Sequence, residues 1–394
     1  FLKEIKEVVM TKKFRIRSFG VVAVSLLLGL AAIGCGIIGG STTVKIGLLS
    51  PQTGPIAVYA PGFEDAASVA IAQLNEANDD YEFELIVANS GCDATQAATS
   101  AQSLVDSGVA GIVGAACSGA TMSAISVAQA AGIPMVSYAS TSPAITTLAD
   151  DGYLFRVVPS DAQQSVALSD VVKANGSTNT GVLYMTNDYG AGLAENFKGA
   201  HGGLCTEVGY DPAEGSYDAS TLAQAIVDGG CDSVVLVSYA TDGAAIMEAL
   251  LSQGFSGDLY GADGVADAAF VNSFTDTKAV DGLIATKPRP GKDSAAKSTF
   301  ETAYSAAGGD TEGIYTHETY DAVNIIAAAA MADDSTTVTL KLNGHDRFSP
   351  DRPHGYFSRR QIWQHHTGPG NLVGSWDGAA YGGSVNAGNA TAAG

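Results

Sequence analysis

The chain has 394 residues, 46 % hydrophobic and only 15 % charged, a globular balance that excludes intrinsic disorder and suggests two or three domains. Its 41 acids against 20 bases leave a net charge of −21, and six of the bases precede Gly20 while five lie between Lys341 and Arg360. Residues 41–340 therefore hold 9 bases against 36 acids, a surface that repels phosphate backbones, excludes nucleic acid as a partner and disfavours polyanionic ligands and anionic membranes.

From Met10 the chain reads MTKKFRIRSFGVVAVSLLLGLAAIGC. Lys12, Lys13, Arg15 and Arg17 form a basic start, and the next 17 residues, 18–34, carry no charge. That is the layout of an export signal. It is at the short limit for spanning a hydrocarbon core of about 30 Å. Ala32-Ile33-Gly34-Cys35 resembles a bacterial lipobox with Ala in place of the usual Leu, so residues 10–35 are expected to be a lipoprotein signal ending at lipidated Cys35. Plain secretion is the alternative. Residues 1–9 read as an upstream extension, and residues 36–43 as a tether. Removing Cys35 from the five cysteines leaves Cys92, Cys117, Cys205 and Cys231, an even number that suits two disulfides in an exported chain. No CxxC occurs among the four, so no metal is expected. A Cys205–Cys231 pair would close a loop of about 27 residues and contribute roughly 3–4 kcal/mol on the chain-entropy account.

The body alternates short apolar runs with amphipathic stretches. The first run, Val44–Leu49, precedes a helix expected over residues 64–78, with Ala67, Ala70, Ile71 and Leu74 on one face. Phe83–Val87, a helix from about Thr95, Gly111–Gly114, a helix from Thr121 and Pro134–Ser137 follow. The pattern resumes with strands at 180–184, 206–210, 233–238, 258–261 and 282–286. Continuous apolar strands separated by helices imply parallel sheets covered on both faces, with ligands at the strands' carboxyl ends. Roughly ten strands exceed one comfortable open sheet. The fold class is therefore α/β in two lobes, with crossovers sought at residues 155–160 and at 286–290, where Pro288 and Pro290 favour extended backbone.

Three strand-end loops carry candidate chemistry. Gly114–Thr121 opens a helix, so its free N–H groups and positive dipole end suit a carboxylate, with Ser118 able to cap the helix and donate its hydroxyl. An ordinary capped helix start reads equally well. Ser137–Pro143 is hydroxyl-rich, either a turn or a second set of polar contacts. Asp263 could hold an ammonium group or simply form an Asp-Gly turn. Tyr59, Tyr189 and Tyr239 also follow strands and could wall a cleft or pack a core. GxSxG, HExxH and the Walker lysine loop are all missing, and Ser294-Ala295-Ala296-Lys297 matches SxxK without partner motifs. No nucleophile–base pair can be drawn, so neither catalysis nor a cofactor is expected.

Eight segments in order, VKIGLLSPQTGPIAVYA, GCDATQA, GAACSGAT, GIPMVSYASTSP, NDYGAG, SYATDG, YGADGV and GLIATKP, resemble the type I periplasmic binding proteins, specifically the leucine/isoleucine/valine-binding group of ABC importers. The resemblance spans about Val44 to Met331. It implies two Rossmann-like lobes with parallel sheets, joined by three hinge crossovers. The N-terminal lobe would be residues 44–157 plus 289–333, and the C-terminal lobe 158–288 plus about 370–385. It further implies that Ser118 and Thr141 bind an α-carboxylate through hydroxyl and backbone N–H. The Ala139 carbonyl, the Thr141 hydroxyl and Asp263 would bind an α-ammonium, with Tyr59, Tyr189 and Tyr239 lining the cleft. Cys92 pairs with Cys117 in the family pattern, whereas Cys205–Cys231 does not belong to it. Two departures concern the ligand's side chain: Asp263 replaces a commoner Glu, and Ala116 replaces a bulkier apolar residue, which widens the pocket.

Residues 341–366 hold four of the six histidines and four of the eight arginines, out of keeping with the acidic body. A reading-frame error, a foreign insertion and a real basic loop stay open there, and the pattern resumes only at Gly374–Gly378. The leading expectation is an extracytoplasmic, lipid-anchored monomer that delivers a free aliphatic amino acid to ABC permease subunits. A sensor partner of a chemoreceptor, an amide-, urea- or aromatic-acid-binding module, and an extracytoplasmic hydrolase are the competing readings.

Overall fold

The computed structural model describes residues 41–213, 215–288, 294–333, 383–386 and 389–391. The candidate signal, the tether up to Gly40, Cys35, Pro290 and the basic segment 341–366 lie outside those residues, as does the stretch around Gly374.

The first sheet is built from β1 (Thr42–Ser50), β2 (Tyr81–Asn89), β3 (Gly111–Val113), β4 (Met135–Ser137) and β5 (Leu154–Arg156). Its strands run parallel in the order β2-β1-β3-β4-β5. Between them run α1 (Ala60–Ala77), α2 (Ala94–Asp106) and α3 (Ser118–Ala130). In β1 the residues Val44, Ile46, Leu48 and Leu49 are all buried, as a strand covered on both faces requires. Gly47 admits α2: a Cβ there would lie 2.9 Å from Leu104 Cδ1. α1 starts at Ala60, four residues before the expected start, because Pro61 suits the first helical turn, where its missing N–H costs nothing.

The second sheet follows α4 (Asp161–Ala174). It comprises β6 (Thr180–Met185), β7 (Glu207–Tyr210), β8 (Ser233–Val237), β9 (Asp258–Gly261) and β10 (Ile284–Ala285), interleaved with α5 (Asp188–His201), α6 (Ala219–Asp228), α7 (Ala240–Ser252) and α8 (Ala268–Asn272). These five strands are parallel. The chain then returns to the first sheet, where α9 (Ala295–Ala306) packs on α1, and α10 (Thr316–Asp333) packs on α1, β1 and β3. Finally β11 (Gly383–Asn386) and β12 (Asn389–Thr391) add an antiparallel edge beside β10. That edge departs from the all-parallel expectation, and a short hairpin can supply it because antiparallel neighbours need no crossover helix.

Both lobes are thus Rossmann-like and parallel in their main sheets. The strand order reverses between β1 and β3 in one sheet and between β6 and β8 in the other, the places where open α/β sheets bind ligands. Two crossings between sheets fall after β5 and after β10. The expected third crossing lies outside the described residues. At the first crossing the Asp161 N–H donates to the Thr141 carbonyl at 2.9 Å. Gln164 on α4 donates to the carbonyl and hydroxyl of Thr286 at 2.9 and 3.2 Å, tying the two crossing segments together. Among the described residues no helix is long and apolar enough to cross a membrane.

Candidate ligand-binding cleft

The loops that leave β3 and β4 are locked together by buried hydroxyl groups. Thr121 Oγ1 accepts from the Ala115 N–H at 2.9 Å, and the Thr121 and Ser140 hydroxyls share a 2.7 Å hydrogen bond. Ser137 and Ser140 donate to the Ala115 carbonyl at 2.8 and 3.0 Å. Arg156, fully buried at the end of β5, donates to the carbonyls of Ser140 and Ser142 and to the Thr146 hydroxyl. A buried guanidinium with so many acceptors is a rigid clamp. The serines and threonines of Ser137–Pro143 therefore form the scaffold that fixes Ser118 and Thr141, in addition to any contact with a ligand.

Ser118 differs from its expected role as a helix cap. Cys117 occupies the N-cap position of α3, no side chain caps that helix, and Ser118 is its first residue. The Ser118 hydroxyl oxygen accepts from the Ser142 N–H at 3.2 Å, which leaves its hydrogen to donate elsewhere. Helices α2, α4, α5, α6, α8 and α9 are all capped by a side chain. α3, like α1 and α7, has no side-chain cap, and its first residue, Ser118, lines a cavity, so the helix's first N–H groups and positive dipole end face that space. Ser294 of the SxxK match caps α9 through the Lys297 N–H, a structural use of that tetrapeptide.

The opposite wall comes from the second sheet. Tyr189, on α5 after β6, stacks on Tyr239, after β8, with centroids 5.7 Å apart and planes 6° from parallel. A Cβ on Gly190 would lie 2.1 Å from the Met185 carbonyl oxygen, so only glycine lets α5 start close enough to β6 to present Tyr189. Asp263, in a short 3-10 turn after β9, accepts from the Tyr189 hydroxyl at 2.8 Å on one oxygen and from the Tyr315 hydroxyl at 2.6 Å on the other. Gly264 must follow it, because a Cβ there would sit 2.4 Å from the Ser238 carbonyl oxygen. The Asp-Gly turn and the aimed carboxylate are thus one feature. Burial pushes the Asp263 carboxyl above the usual carboxylate range, against the pull of the hydrogen bonds from Tyr315 and Tyr189.

All seven residues singled out from the sequence, Tyr59, Ser118, Ala139, Thr141, Tyr189, Tyr239 and Asp263, line one cavity of about 460 Å³, open space at its mouth included. Ile56, Phe63, Ala116 and Ile314 make the rest of its wall apolar. Tyr315 also lines it and was not read from the sequence. Its φ of 59° is a conformation L residues rarely adopt, and such outliers cluster at ligand clamps. No motif marks it; the only signal is its place just before α10. The Tyr210 hydroxyl donates to Asp242, a pair that was not read from the sequence either and does not line the cavity.

The Cys92–Cys117 disulfide closes the rim of this cavity, with Tyr239 Oη 3.9 Å from both sulfurs. Cys205 and Cys231 are also joined, in the second lobe between the start of β7 and the start of β8. His201 lies 3.5 Å from the Ser169 hydroxyl and His317 lies 3.2 Å from Glu301, and neither lines the cavity. Among the described residues no cluster of three His, Cys, Asp or Glu side chains could hold a metal ion.

Two parallel-sheet lobes facing a common cavity narrow the choice of family, and a profile of the periplasmic binding proteins matches residues 43–368. The chain belongs to the periplasmic binding protein family. Among its relatives, the leucine-, isoleucine-, valine-, threonine- and alanine-binding protein of Pseudomonas aeruginosa is 28 % identical over 292 residues, 72 % of this chain and 77 % of that protein. The Leu/Ile/Val-binding protein of Escherichia coli K12 is 25 % identical over 332 residues, 82 % and 89 % of the two chains. Among solved structures, the branched-chain amino acid transporter substrate-binding protein LivJ of Streptococcus pneumoniae, in complex with isoleucine, superposes with a TM-score of 0.67 at 25 % identity, covering 75 % of this chain and 86 % of that one. This periplasmic binding protein is therefore similar to the Leu/Ile/Val-binding group across most of its length, as its sequence motifs implied.

Proposed function

We propose that this protein captures a free branched-chain or other aliphatic amino acid between its lobes and delivers it to an ABC permease. The observation that carries the reading is the polarity of one cavity: the uncapped start of α3 with Ser118 lies on one wall, Asp263 on the other, and apolar side chains lie between. Desolvating a zwitterion is costly unless both charges meet fixed partners, and this arrangement provides one for each. Ser118 and Thr141 take the α-carboxylate. The Ala139 carbonyl, the Thr141 hydroxyl and Asp263 take the α-ammonium. Ile56, Phe63, Ala116 and Ile314 receive the side chain, and the tyrosines close over it. The relatives named for leucine, isoleucine and valine support the same ligand class.

Ligand capture is expected outside the cytoplasm, with the chain held to the membrane by a lipid on Cys35 and acting as a monomer. Lobe closure is the signal a permease would read. The test is a thermal-shift screen of the protein from about Ser41 against the twenty amino acids, urea and short amides. A ligand at about 100 times its dissociation constant adds about 2.7 kcal/mol, or several degrees at roughly 2–4 °C per kcal/mol. A shift confined to aliphatic amino acids supports the reading. A shift with amides alone discards the zwitterion assignment.

A further inference from the structure

Asp161, the first residue of α4, lies directly behind Thr141 and is fully buried. Among the described residues neither of its carboxylate oxygens has a hydrogen-bond partner of good geometry, although the Thr141 hydroxyl lies close enough to favour the ionised form. A buried acid in that state is destabilising unless it is protonated or given a donor. Burial raises its carboxyl well above the usual range and the nearby Asp263 raises it further, while the Thr141 hydroxyl and the Arg156 guanidinium offset only part of this. Arg156 is committed to the Ser140 and Ser142 carbonyls and the Thr146 hydroxyl. Of the other titratable groups around the two acids, Tyr189 and Tyr315 donate to Asp263, and Tyr239 stacks on Tyr189. Burial and the acids Asp263, Asp161, Asp242 and Asp267 keep these tyrosines and Tyr59 neutral.

Two like charges confined in a site screened from water do not both ionise readily. We infer that Asp161 and Asp263 act as one acidic unit that holds a proton in the ligand-free protein and releases it to solvent when a ligand ammonium enters. The ammonium replaces the proton as the positive charge facing the pair, so the cleft selects protonated amines, and Asp161 acts as a positioning and specificity residue behind the Asp263 contact. The inference rests on the amino-acid reading proposed above. In linkage terms, binding that releases one proton tightens about tenfold per pH unit while the free pair is protonated, and levels off once it is ionised.

The test is isothermal titration with L-leucine, isoleucine and valine across mildly acidic to neutral pH, in two buffers of different ionisation enthalpy. Expected are buffer-dependent heats that correspond to release of up to one proton, and an affinity that climbs with pH. In Asp161→Asn, with its fold checked by circular dichroism, the level part of the profile should begin at lower pH, because Asp263 no longer faces a second carboxylate. An unchanged profile in that variant overturns the role of Asp161. Leucine that binds the wild-type protein with buffer-independent heats and a flat profile overturns the inference and leaves the functional reading intact. That wild-type comparison decides even if the variant fails to fold. Absence of binding by all three amino acids overturns both.

Discussion

The Tyr315 hydroxyl donates to Asp263 Oδ2 at 2.6 Å, joining the residue before α10, a helix on the first sheet, to the carboxyl end of β9 in the second. The Ile314 N–H makes a parallel link, 3.1 Å from Asp267. The hydrogen bond therefore serves two ends: it orients the proposed ammonium partner and it spans the cleft.

Removing it with Tyr315→Phe keeps the ring and the packing but takes a donor from a buried carboxylate. A hydrogen bond to a charged group contributes about 1.5–3 kcal/mol. Leucine affinity should fall roughly ten- to a hundredfold on that basis. Calorimetric titration would show it, and an unchanged dissociation constant would mean that the bond is incidental to binding.

Asp263→Ala separates the zwitterion reading from the amide reading. Truncating one partner of a buried charge pair costs about 2–5 kcal/mol, so an aliphatic amino acid should lose thirtyfold or more. A neutral amide should lose far less. Equal losses for the two ligands, measured side by side by thermal shift, would remove the ammonium role from Asp263.

The disulfide between Cys205 and Cys231, 26 positions apart, constrains a segment remote from the cleft. Replacing both cysteines by serine should lower stability by about 3–4 kcal/mol and the melting temperature by roughly 10 °C, with leucine affinity retained. Scanning calorimetry of the double variant reads the first effect. Lost affinity in a folded variant would show that the bridge reaches the site.

Ligand-free stability should fall as pH rises. Asp161, Asp263 and Asp242 all have folded-state carboxyls raised by burial. Raised acids contribute stability that is present at low pH and lost as pH climbs through their folded-state values, because the native protein then holds protons the unfolded chain has released. Asp218 and Asp232 are lowered, favouring the opposite trend, but both are almost wholly exposed. Melting at about pH 5 should thus exceed melting at about pH 8, the interval in which proteins are commonly most stable. The reverse order would show that the buried carboxyls are already ionised.

The same acidic surface predicts a response to salt. With 36 acids against 9 bases in residues 41–340, the folded chain repels itself. Raising ionic strength from about 0.01 to about 1 M shortens screening from about 30 to about 3 Å. The melting temperature at neutral pH should rise, and it would stay flat if local pairing already neutralised the surface.

Alternation of buried strands with amphipathic helices was legible from residue 44 to about 331, because a strand buried on both faces must read as a continuous apolar run. The runs at 180–184, 233–238 and 258–261 sit in β6, β8 and β9 for that reason. Boundaries were less legible: α3 begins at Ser118 and not Thr121, since Cys117 takes the cap position and leaves the helix start uncovered. The antiparallel edge of β11 and β12 was unreadable, because Gly- and Asn-rich strands carry too few apolar residues to show a period.

By sequence alone the chain determined its fold class and its acidic surface, and its family-like motifs pointed to the seven cavity residues, which lie at or just after strand ends. Tertiary structure alone decided the rest. Tyr315 reaches Asp263 across 52 positions, Arg156 clamps the loop of Ser140 and Ser142 from behind, and Asp161 is fully buried behind Thr141. A hydrogen bond between distant segments, or a carboxylate's loss of water, leaves no periodicity in the chain. Those properties exist only once two sheets and a crossing helix enclose the same small volume.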